Sequence, residues 1–401
     1  MSGTDLIYLD YQATTPCDPR VMADMLPWFT QSFANPHSLD HAAGRAVHEA
    51  VEHARAEVAA LLGAEAREIV FTSGATEANN LAIKGAVRHL LARGDARRRV
   101  ITLATEHKCV LESVRDLASE GCEPVILPVR PDGTLDPDVL ARALDVPTLL
   151  VSIMAANNET GVLQDIAALA PLVRRAGALL HSDLAQAAGK VDVDVRAWDL
   201  DLASVSAHKL YGPKGVGALF VRRRPRVRLA PLFSGGGQER GLRSGTLPAP
   251  LIIGFGAACR IARAEGAAER ARIAGLRDRM LAALRAGCGG VQVHGRMEGR
   301  LAGNLNLRFA GVRAMDLLAA VPQLCLSTGS ACSSADVVPS YVLTAMGLDG
   351  AAAAEGLRLA VGRYTSPADV ERAAAILCQA VARCRAQGSV SPHDGQTAQA
   401  G

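Results

Sequence analysis

The sequence predicts an α/β protein in which a large, mostly parallel sheet domain is followed by a smaller α+β domain. Three observations lead to this prediction. A chain of 401 residues suits two packed domains. Its first three quarters alternate short apolar runs with helical patterns, which is typical of βαβ units. Residues 254 to about 287 contain no Pro and many Ala, Arg and Glu, so they predict a long helix that leaves the first domain.

In the large domain, the predicted strands all end in polar segments. We predict strands at residues 68–72, 100–103, 149–154, 178–181 and 202–206. The polar segments that follow them are residues 73–76, 105–107, 155–159, 182–183 and 208–209. Because ligands bind at the carboxyl ends of strands in open α/β sheets, these segments are predicted to surround one site.

The small domain is predicted to contain strands at residues 304–309, 324–327 and 357–361. Its last helix should begin at Ser366 and Pro367, a capping Ser followed by Pro at the first helical position, and run to about residue 386. We divide the chain into an N-terminal segment near the active site, a large domain, a small domain and a disordered tail that has almost nothing to bury. These parts are residues 1–15, 16–258, 259–386 and 387–401.

Composition excludes several classes of protein. The chain is 49% hydrophobic with a formal net charge of +3, which fits a soluble globular protein and argues against nucleic-acid binding. No apolar run approaches the roughly 18 residues of a membrane helix, and the N-terminus lacks the features of a signal peptide. Nine cysteines without a CxxC pair indicate neither a disulfide framework nor a zinc ribbon, so we expect a cytoplasmic protein.

Two histidine pairs are the candidates for a metal site. His37 and His41 are four residues apart but have no third ligand nearby in the sequence. His48 and His53 are one position too far apart for an HExxH motif. We therefore expect no intrinsic metal site.

Lysine is rare in this chain and therefore informative. Of the 43 Lys and Arg residues only five are Lys, and two of these, Lys209 and Lys214, fall within HKLYGPKG. An Arg guanidinium stays protonated and cannot form a Schiff base, whereas a Lys amine can do so with carbonyl compounds and with pyridoxal phosphate (PLP). Lys209 follows a predicted strand and is a candidate for this chemistry. The alternative is a surface lysine without a catalytic role.

The neighbours of Lys209 favour PLP. A PLP site needs a carboxylate beside the pyridine nitrogen, and Asp183 ends a predicted strand 26 residues earlier. It also needs backbone N–H groups and hydroxyls for the phosphate, which residues 73–76 can supply at the start of a predicted helix. A P-loop is the competing interpretation, but GPKGVG lacks the GK[ST] order and the strand–loop–helix setting.

Cys332 lies in STGSACSSA, where every other side chain is small or hydroxyl-bearing. Such a segment cannot build a core, whereas a structural cysteine is usually buried. We therefore predict that Cys332 is accessible and reactive. The other eight cysteines are expected to be buried, inert thiols, and they are Cys17, Cys109, Cys122, Cys259, Cys288, Cys325, Cys378 and Cys384.

Seven segments of the chain resemble the cysteine desulfurases of the NifS/IscS type, which belong to the PLP-dependent class-V aminotransferase family. They are SGATEANNLAIKG, TEHKCVLE, NNETGVLQDI, HSDLAQAAGK, SAHKLYGPKGVGALF, GGGQERGLRSGTLP and STGSACSSA. The resemblance runs from YLDYQATTP to GRYTSP and covers nearly all of the chain except the tail. It implies the type I fold of PLP-dependent transferases, which is the aspartate aminotransferase fold, and a homodimer. It also implies conversion of L-cysteine to L-alanine, with the released sulfur held as a persulfide and passed to an acceptor protein such as an iron–sulfur scaffold.

The resemblance implies roles for individual residues in cofactor binding. Lys209 forms the Schiff base with PLP, Asp183 pairs with the pyridine nitrogen, and Gln186 bonds the ring hydroxyl. His107 stacks on the ring and transfers protons. The implied phosphate ligands are Ala75, Thr76, Ser206 and His208, together with Thr246 of the partner subunit.

Three further residues complete the implied site. Asn158 lies beside the cofactor, and Arg358 receives the substrate carboxylate, a role that suits a bidentate donor. Cys332, in the small domain, takes the sulfur as a persulfide and is a candidate transient ligand of an iron–sulfur cluster shared with a scaffold. Because a thiol with a pKa near 8.5 is only about 3% thiolate at pH 7, a proton acceptor such as His107 or a nearby amide cluster should assist it.

Other functions share parts of this pattern. A PLP aminotransferase would use Lys209 and Asp183 but not Cys332. A selenocysteine lyase or cysteine sulfinate desulfinase is closer, and such enzymes can act without the cysteine. A PLP-dependent regulator would need a DNA-binding domain, for which the sequence before Tyr8 leaves no room. The tail GSVSPHDGQTAQAG does not resemble the scaffold-docking tail of housekeeping members, so general cluster assembly, nitrogenase maturation and thiolation stay open as the process served.

Overall fold

A computed structural model of the chain describes residues 6–329 and 339–388. The strands are β1 (Ile7–Tyr8), β2 (Ile69–Thr72), β3 (Arg99–Leu103), β4 (Glu123–Leu127), β5 (Thr148–Ser152), β6 (Leu179–Asp183), β7 (Leu202–Ser206), β8 (Gly217–Val221), β9 (Val291–Val293), β10 (Asn304–Phe309), β11 (Leu324–Cys325) and β12 (Leu357–Ala360). The α-helices are α1 (Pro19–Met25), α2 (Pro27–Thr30), α3 (Ala42–Leu62), α4 (Ala75–Ala92), α5 (Lys108–Asp116), α6 (Pro137–Ala143), α7 (Ile166–Arg175), α8 (Ala249–Gly287), α9 (Ala314–Ala320), α10 (Tyr341–Ala345), α11 (Gly350–Ala354) and α12 (Pro367–Gly388). Short 3-10 helices span Ala66–Glu68, Leu117–Glu120, Ala207–Lys209 and Glu239–Gly241.

The largest sheet has seven strands in the order β2–β8–β7–β6–β5–β3–β4. β8 is antiparallel to both of its neighbours, and the other neighbouring pairs are parallel. This arrangement confirms the predicted mostly parallel sheet. Helices cover both of its faces. Successive strand residues such as Val70 and Phe71 point to opposite sides of the sheet, and each packs into a different hydrophobic cluster. One cluster includes residues of α3, α7 and α8, and the other includes residues of α4 and α5.

The 39-residue helix α8 connects two hydrophobic cores. Its first half contributes Ile252 and Phe255 to the core of the large sheet. Its second half contributes Leu276 and Met280 to a second core, which is built on the antiparallel sheet β12–β10–β9 and on α12. The predicted long helix is confirmed, and it begins at Ala249 because Pro250 is tolerated in the first turn of a helix. The division of the chain after residue 258 stays a prediction.

The N-terminal segment packs with the second core and then passes the large sheet. β1 pairs in parallel with β11, and Ile7 and Leu9 are part of the second core. The carbonyl oxygen of Leu9 accepts a 2.6 Å bond from the backbone N–H of Ala360 in β12. Thr15 then donates its backbone N–H to the carbonyl oxygen of His208, directly after β7. The segment therefore links the second core to one end of the large sheet.

Several elements differ from the sequence predictions. β4 is not predicted, because it is an edge strand that begins with Glu123 and Pro124 and has partly exposed side chains. The strand predicted at residues 324–327 ends at Cys325 and pairs with β1, and Ser327 beyond it forms an antiparallel bridge with Arg358 of β12. The last helix continues to Gly388, and the rest of the predicted tail lies outside the described residues.

The part of the chain that the structure describes contains neither a membrane-spanning helix nor a metal cluster. None of its helices is both long and apolar enough to cross a bilayer. Within the same residues, no three His, Cys, Asp or Glu side chains come together in a way that could hold a metal ion. His41, considered above as a ligand, instead caps α3 by accepting a 3.0 Å bond at Nδ1 from the N–H of Gly44.

A buried ion pair holds the segment before α8 against the large sheet. Arg55 of α3 and Glu239 are 3% and 5% exposed, and two hydrogen bonds of 2.7 Å join their side chains. Glu239 also accepts a 2.7 Å bond from the backbone N–H of Phe71 in β2. Loss of Arg55 would leave the Glu239 charge buried without an ion pair, and loss of Glu239 would leave Arg55 with only the partly exposed Glu52, 3.0 Å from its Nε.

We expect Glu239→Gln to lower the free energy of unfolding by about 3 kcal/mol in urea denaturation, because it removes the buried carboxylate and leaves Arg55 paired only with the partly exposed Glu52. Glu112→Gln is the matched control, because Glu112 forms an exposed pair with Arg115, and it should lower this free energy by less than about 1 kcal/mol. Equal effects of the two substitutions would contradict a stabilising role for the buried pair.

Candidate active site

A cavity of about 570 Å³ lies at the carboxyl ends of β5, β6 and β7. Its wall also includes the N-terminus of α4, the start of α5 and residues 12–14. Most of the residues predicted for the site line it, and these are Ala75, Thr76, His107, Asn158, Asp183, Gln186, Ser206, His208, Lys209 and Arg358. Thr246 is exposed and is not part of the cavity wall in this single chain. Cys332 lies outside the described residues.

Lys209 is held by backbone carbonyl groups. It ends the 3-10 helix that follows β7, and its Nζ donates to the carbonyl oxygens of Gln12 at 2.5 Å and Ala13 at 2.8 Å. Burial lowers the pKa of Lys209 to about 8, and the Arg358 charge acts in the same direction, whereas Asp10 and Asp183 raise the pKa. A substantial fraction of this amine is therefore neutral, and so nucleophilic, at mildly alkaline pH.

Asp183 is the buried last residue of β6. Its Oδ2 accepts a 2.7 Å bond from Asn79 Nδ2, and its Oδ1 accepts a 2.8 Å bond from the backbone N–H of Ala185. These two donors, from α4 and from the loop after β6, orient the carboxylate from separate directions. The carboxylate is therefore fixed on the cavity wall and can pair with a cationic nitrogen of a ligand.

His107 caps α5 with its ring. His107 Nδ1 accepts a 3.2 Å bond from the backbone N–H of Cys109, and Cys109 Sγ lies 3.0 Å from the same nitrogen. Because Nδ1 is an acceptor, the neutral ring carries its proton on Nε2. The side chain of His107 is exposed to the cavity. Partial burial nevertheless lowers the pKa of His107, and the charges of Lys209 and Lys108 lower it further, whereas the Asp183 charge raises it. His107 is therefore mainly neutral near pH 7.

Cys109 differs from its predicted place in a buried core. It lines the cavity, where its Sγ also accepts a 3.2 Å bond from Asn79 Nδ2. Burial raises the pKa of the Cys109 thiol to about 12, and the Asp183 charge adds to this effect. The thiol is therefore protonated at neutral pH and can donate its hydrogen to His107.

The N-terminus of α4 is suited to bind an anion. Gly74 precedes this 18-residue helix with φ of 153°, a backbone conformation that favours glycine. Ser206 at the end of β7, the Thr76 side chain and Lys214 line the cavity around this terminus. The positive end of the helix dipole and these polar groups favour a phosphate.

His208 stands beside the anion site as a neutral group. Burial lowers its pKa to about 4, and the charges of nearby lysines lower it further. Its Nδ1 lies 3.0 Å from Thr14 Oγ1, so the ring is tied to the N-terminal segment. A neutral imidazole at this place can form a hydrogen bond to a phosphate oxygen without adding a charge.

Arg358 and Asn158 leave polar atoms available to a ligand. The Arg358 guanidinium donates to the Asn158 carbonyl oxygen at 2.9 Å and to Asp10 Oδ1 at 2.7 Å. Arg358 Nε and Asn158 Oδ1 are buried and have no hydrogen-bond partner in the described part of the chain. Because buried polar atoms are nearly always hydrogen-bonded, a polar ligand fits here.

The residues around the cavity fit PLP. A lysine amine of lowered pKa, an oriented carboxylate and an anion site at a helix N-terminus surround one space. These are the groups that the aldehyde, the pyridine nitrogen and the phosphate of PLP require. Gln186 is 4% exposed and lines the same wall.

The sequence prediction missed the residues that support this site. Gln12 and Ala13 hold the Lys209 amine, and Asn79 holds both Asp183 and Cys109. A signal for these residues was present, because they lie in YLDYQATTP and SGATEANNLAIKG, two of the stretches that carry the resemblance. Their roles depend on contacts between distant parts of the chain, which the stretches alone do not give.

We expect cyanate to carbamylate the Lys209 amine of the apoprotein with a half-maximal rate near pH 8, because only the neutral amine reacts. Mass spectrometry of the modified peptide measures the rate as a function of pH. Arg358→Gln should move the midpoint to higher pH, because it removes a positive charge that opposes protonation. A midpoint near about 10.4, the value of an ordinary lysine, would contradict this account of the site.

Comparisons with known proteins agree with this geometry. The model of the class-V aminotransferase family matches residues 7–373. The cysteine desulfurase IscS of Rickettsia bellii (strain OSU 85-389) is 48% identical over 379 residues, which are 94% of this chain and 92% of that protein. A solved structure of a NifS-like protein is 32% identical with a TM-score of 0.87, covering 94% of this chain and all of the other. The NifS-like protein from Rickettsia africae ESF-5 is 29% identical with a TM-score of 0.82, covering 94% of this chain and 99% of the other. The chain therefore belongs to the class-V aminotransferase family of PLP-dependent enzymes, in the group of IscS- and NifS-type cysteine desulfurases.

Proposed function

We propose that this protein is a PLP-dependent cysteine desulfurase that converts L-cysteine to L-alanine and takes the released sulfur onto Cys332. The observation that carries the proposal is the meeting of Lys209, Asp183 and the α4 N-terminus at one cavity. The chain also has Cys332 within STGSACSSA, and it is 48% identical to a protein named cysteine desulfurase IscS.

Each part of the cofactor has a proposed partner in this cavity. Lys209 would bind PLP covalently, Asp183 would pair with the pyridine nitrogen, and Gln186 would meet the ring oxygen. The phosphate would be held by Ala75, Thr76, Ser206 and His208. When bound in this way, PLP acts as an electron sink that makes the Cα–H of the amino acid acidic.

We propose that a homodimer completes the site with Thr246 of the partner subunit. Thr246 is exposed in the single chain. Large exposed apolar side chains also gather in residues 22–39, and they are Met22, Leu26, Phe29, Phe33 and Leu39. An apolar group of this kind marks a protein contact.

His107 is the proposed proton carrier of the reaction. Its Nδ1 is engaged by the N–H of Cys109, so Nε2 is the nitrogen left to exchange a proton with the ligand. The lowered pKa of His107 keeps the ring neutral at the start of the cycle. A neutral ring with its proton on Nε2 can donate that proton to the substrate.

Arg358 is the proposed partner of the substrate carboxylate. Its guanidinium is buried, and Asp10 already fixes one of its nitrogens. The Nε atom is the donor without a partner among the described residues. A carboxylate that bonds this edge would place the rest of the amino acid in the cavity beside Lys209.

Cys332 is the proposed nucleophile for sulfur. Its thiolate would bond the sulfur of the substrate while the carbon–sulfur bond breaks and the electron pair stays with the carbon side. The product is a persulfide on Cys332 and, after protonation of the carbon, alanine. We propose that the persulfide sulfur then passes to an acceptor protein, such as an iron–sulfur scaffold, in the cytoplasm.

We expect Cys332→Ser to keep the visible absorption of bound PLP but to lose sulfide production from L-cysteine and a reductant by at least about 100-fold, because the sulfur has no acceptor. Mass spectrometry should find one added sulfur atom on the Cys332 peptide of the unsubstituted protein. Cys384→Ser, on α12, is the matched control and should keep full activity. Lys209→Ala should lose both the visible absorption and the activity.

Two outcomes would contradict the proposal. Undiminished alanine and sulfide production by Cys332→Ser would remove the cysteine from the mechanism. Faster turnover of L-selenocysteine or L-cysteine sulfinate than of L-cysteine, measured side by side, would assign the protein to a selenocysteine lyase or a cysteine sulfinate desulfinase.

A further inference from the structure

Lysine is confined almost entirely to the surroundings of the active site. Lys108, Lys209 and Lys214 line the cavity, and Lys190 lies directly behind it. Only Lys84 lies elsewhere, in an ion pair of 2.8 Å with Asp116. Because Arg serves as the cation in the rest of the chain, the lysine at position 190 calls for a physical reason.

Lys190 bonds the side chain that faces the proposed cofactor. Lys190 Nζ lies 3.2 Å from Gln186 Oε1 and donates to it. Gln186 Nε2 donates in turn to the carbonyl oxygen of Gln12 at 2.9 Å. The same carbonyl accepts the bond from Lys209. A continuous hydrogen-bonded chain thus joins Lys190, Gln186, Gln12 and Lys209.

This chain of bonds fixes the orientation of the Gln186 amide. An ammonium group has only donors, so the end of the amide that faces Lys190 must be its oxygen. The NH₂ end then faces Gln12 and the cavity wall. One of its hydrogens goes to the Gln12 carbonyl, and the other is left for an acceptor in the cavity.

We propose that Lys190 is a positioning residue that holds the Gln186 amide with its NH₂ group toward the ring oxygen of PLP. The inference rests on the proposed function, in which PLP occupies the cavity. Without Lys190 only the Gln12 carbonyl would hold the amide in this orientation, so the NH₂ group would be directed less firmly toward the anionic ring oxygen. Lys190 therefore acts on the cofactor through Gln186, and it is not a catalytic residue.

The surroundings of Lys190 favour loss of its proton. Burial lowers its pKa to about 7, the charges of Lys209 and Arg358 act in the same direction, and Glu269 of α8 raises the pKa. A small cavity of about 50 Å³ beside Lys190 is lined by further charged and phenolic groups, which are Tyr11, Tyr211, Arg270 and Arg363. An amine that loses its proton here still keeps two N–H donors for Gln186, so the amide stays oriented in both states of the lysine.

The test is a pH titration of the visible absorption of the PLP-loaded protein. Lys190→Met should raise the midpoint by about one pH unit or more, because the ring oxygen loses a well-oriented donor and a nearby cation is removed. Lys190→Arg, which keeps the donors and the charge, should restore the midpoint to within a few tenths of a unit. Lys84→Met is the control and should leave it unchanged. A midpoint of Lys190→Met equal to that of the unsubstituted protein would overturn the proposal.

A double substitution separates positioning from charge alone. In the Gln186→Leu protein, the amide is absent, so adding Lys190→Met should produce a clearly smaller shift than it does in the unsubstituted protein. A shift of undiminished size would mean that Lys190 acts only through its charge, and the positioning role would be wrong.

Two further measurements separate this role from folding and from cofactor binding. If Lys190→Met fails to fold, Gln186→Glu takes its place in the pH titration. This substitution keeps the acceptor for Lys190 but replaces the NH₂ group with an oxygen, so it should raise the midpoint of the visible absorption. An unchanged midpoint would again overturn the proposal. If the unsubstituted protein develops no visible band with PLP, the proposed function fails, and the role of Lys190 falls with it.

Discussion

The site depends on holding an amine in place without pairing it with a carboxylate. Lys209 is oriented by the carbonyl oxygens of Gln12 and Ala13, which accept its hydrogens but carry no net charge. A carboxylate at the same distance would also orient the amine, but it would stabilise the ammonium form and raise its pKa. The carbonyl groups orient the amine while burial and Arg358 lower its pKa, so a directed nucleophile remains available near neutral pH. The placement of these two carbonyl groups is therefore the structural requirement on which the chemistry rests.

That requirement explains why the N-terminal segment runs between the two hydrophobic cores. Ile7 and Leu9 pack in the second core, and the chain reaches Gln12 and Ala13 within a few residues. Asp10, on the same short path, holds Arg358 of β12. The large sheet supplies Lys209, the N-terminal segment supplies its acceptors, and the small sheet supplies the guanidinium that lowers its pKa. The geometry of the amine is thus set by the contact between the two cores, and neither core could set it alone.

The parts of the site that the sequence could predict are those with a local signal. Asp183 follows an apolar run, and the turn at residues 73–76 begins a helical pattern, so both can be placed at strand ends from the sequence alone. The partners of Lys209 cannot be found in this way, because a carbonyl group occurs in every residue and Gln12 lies 197 residues away along the chain. The place of Cys109 is hidden for a related reason: its contact with His107 is local, but its hydrogen bond from Asn79 joins two helices that are separate in the sequence. Edge strand β4 is not predicted, because Pro124 is disfavoured in most strands and the side chains of an edge strand are partly exposed.

Asp183 and His107 are also oriented by neighbouring side chains. Asn79 Nδ2 donates to Asp183 Oδ2 and also to Cys109 Sγ, and Cys109 contacts the His107 ring. A carboxylate can only accept hydrogen bonds, so the Asn79 amide must turn its NH₂ group toward Asp183; its oxygen is left without a partner among the described residues. One amide of α4 thereby sets the carboxylate and, through a protonated thiol, the imidazole. Because Lys209 and Asp183 are held by neutral groups on other elements, this part of the cavity is organised before a ligand arrives, and little ordering is left for binding to impose.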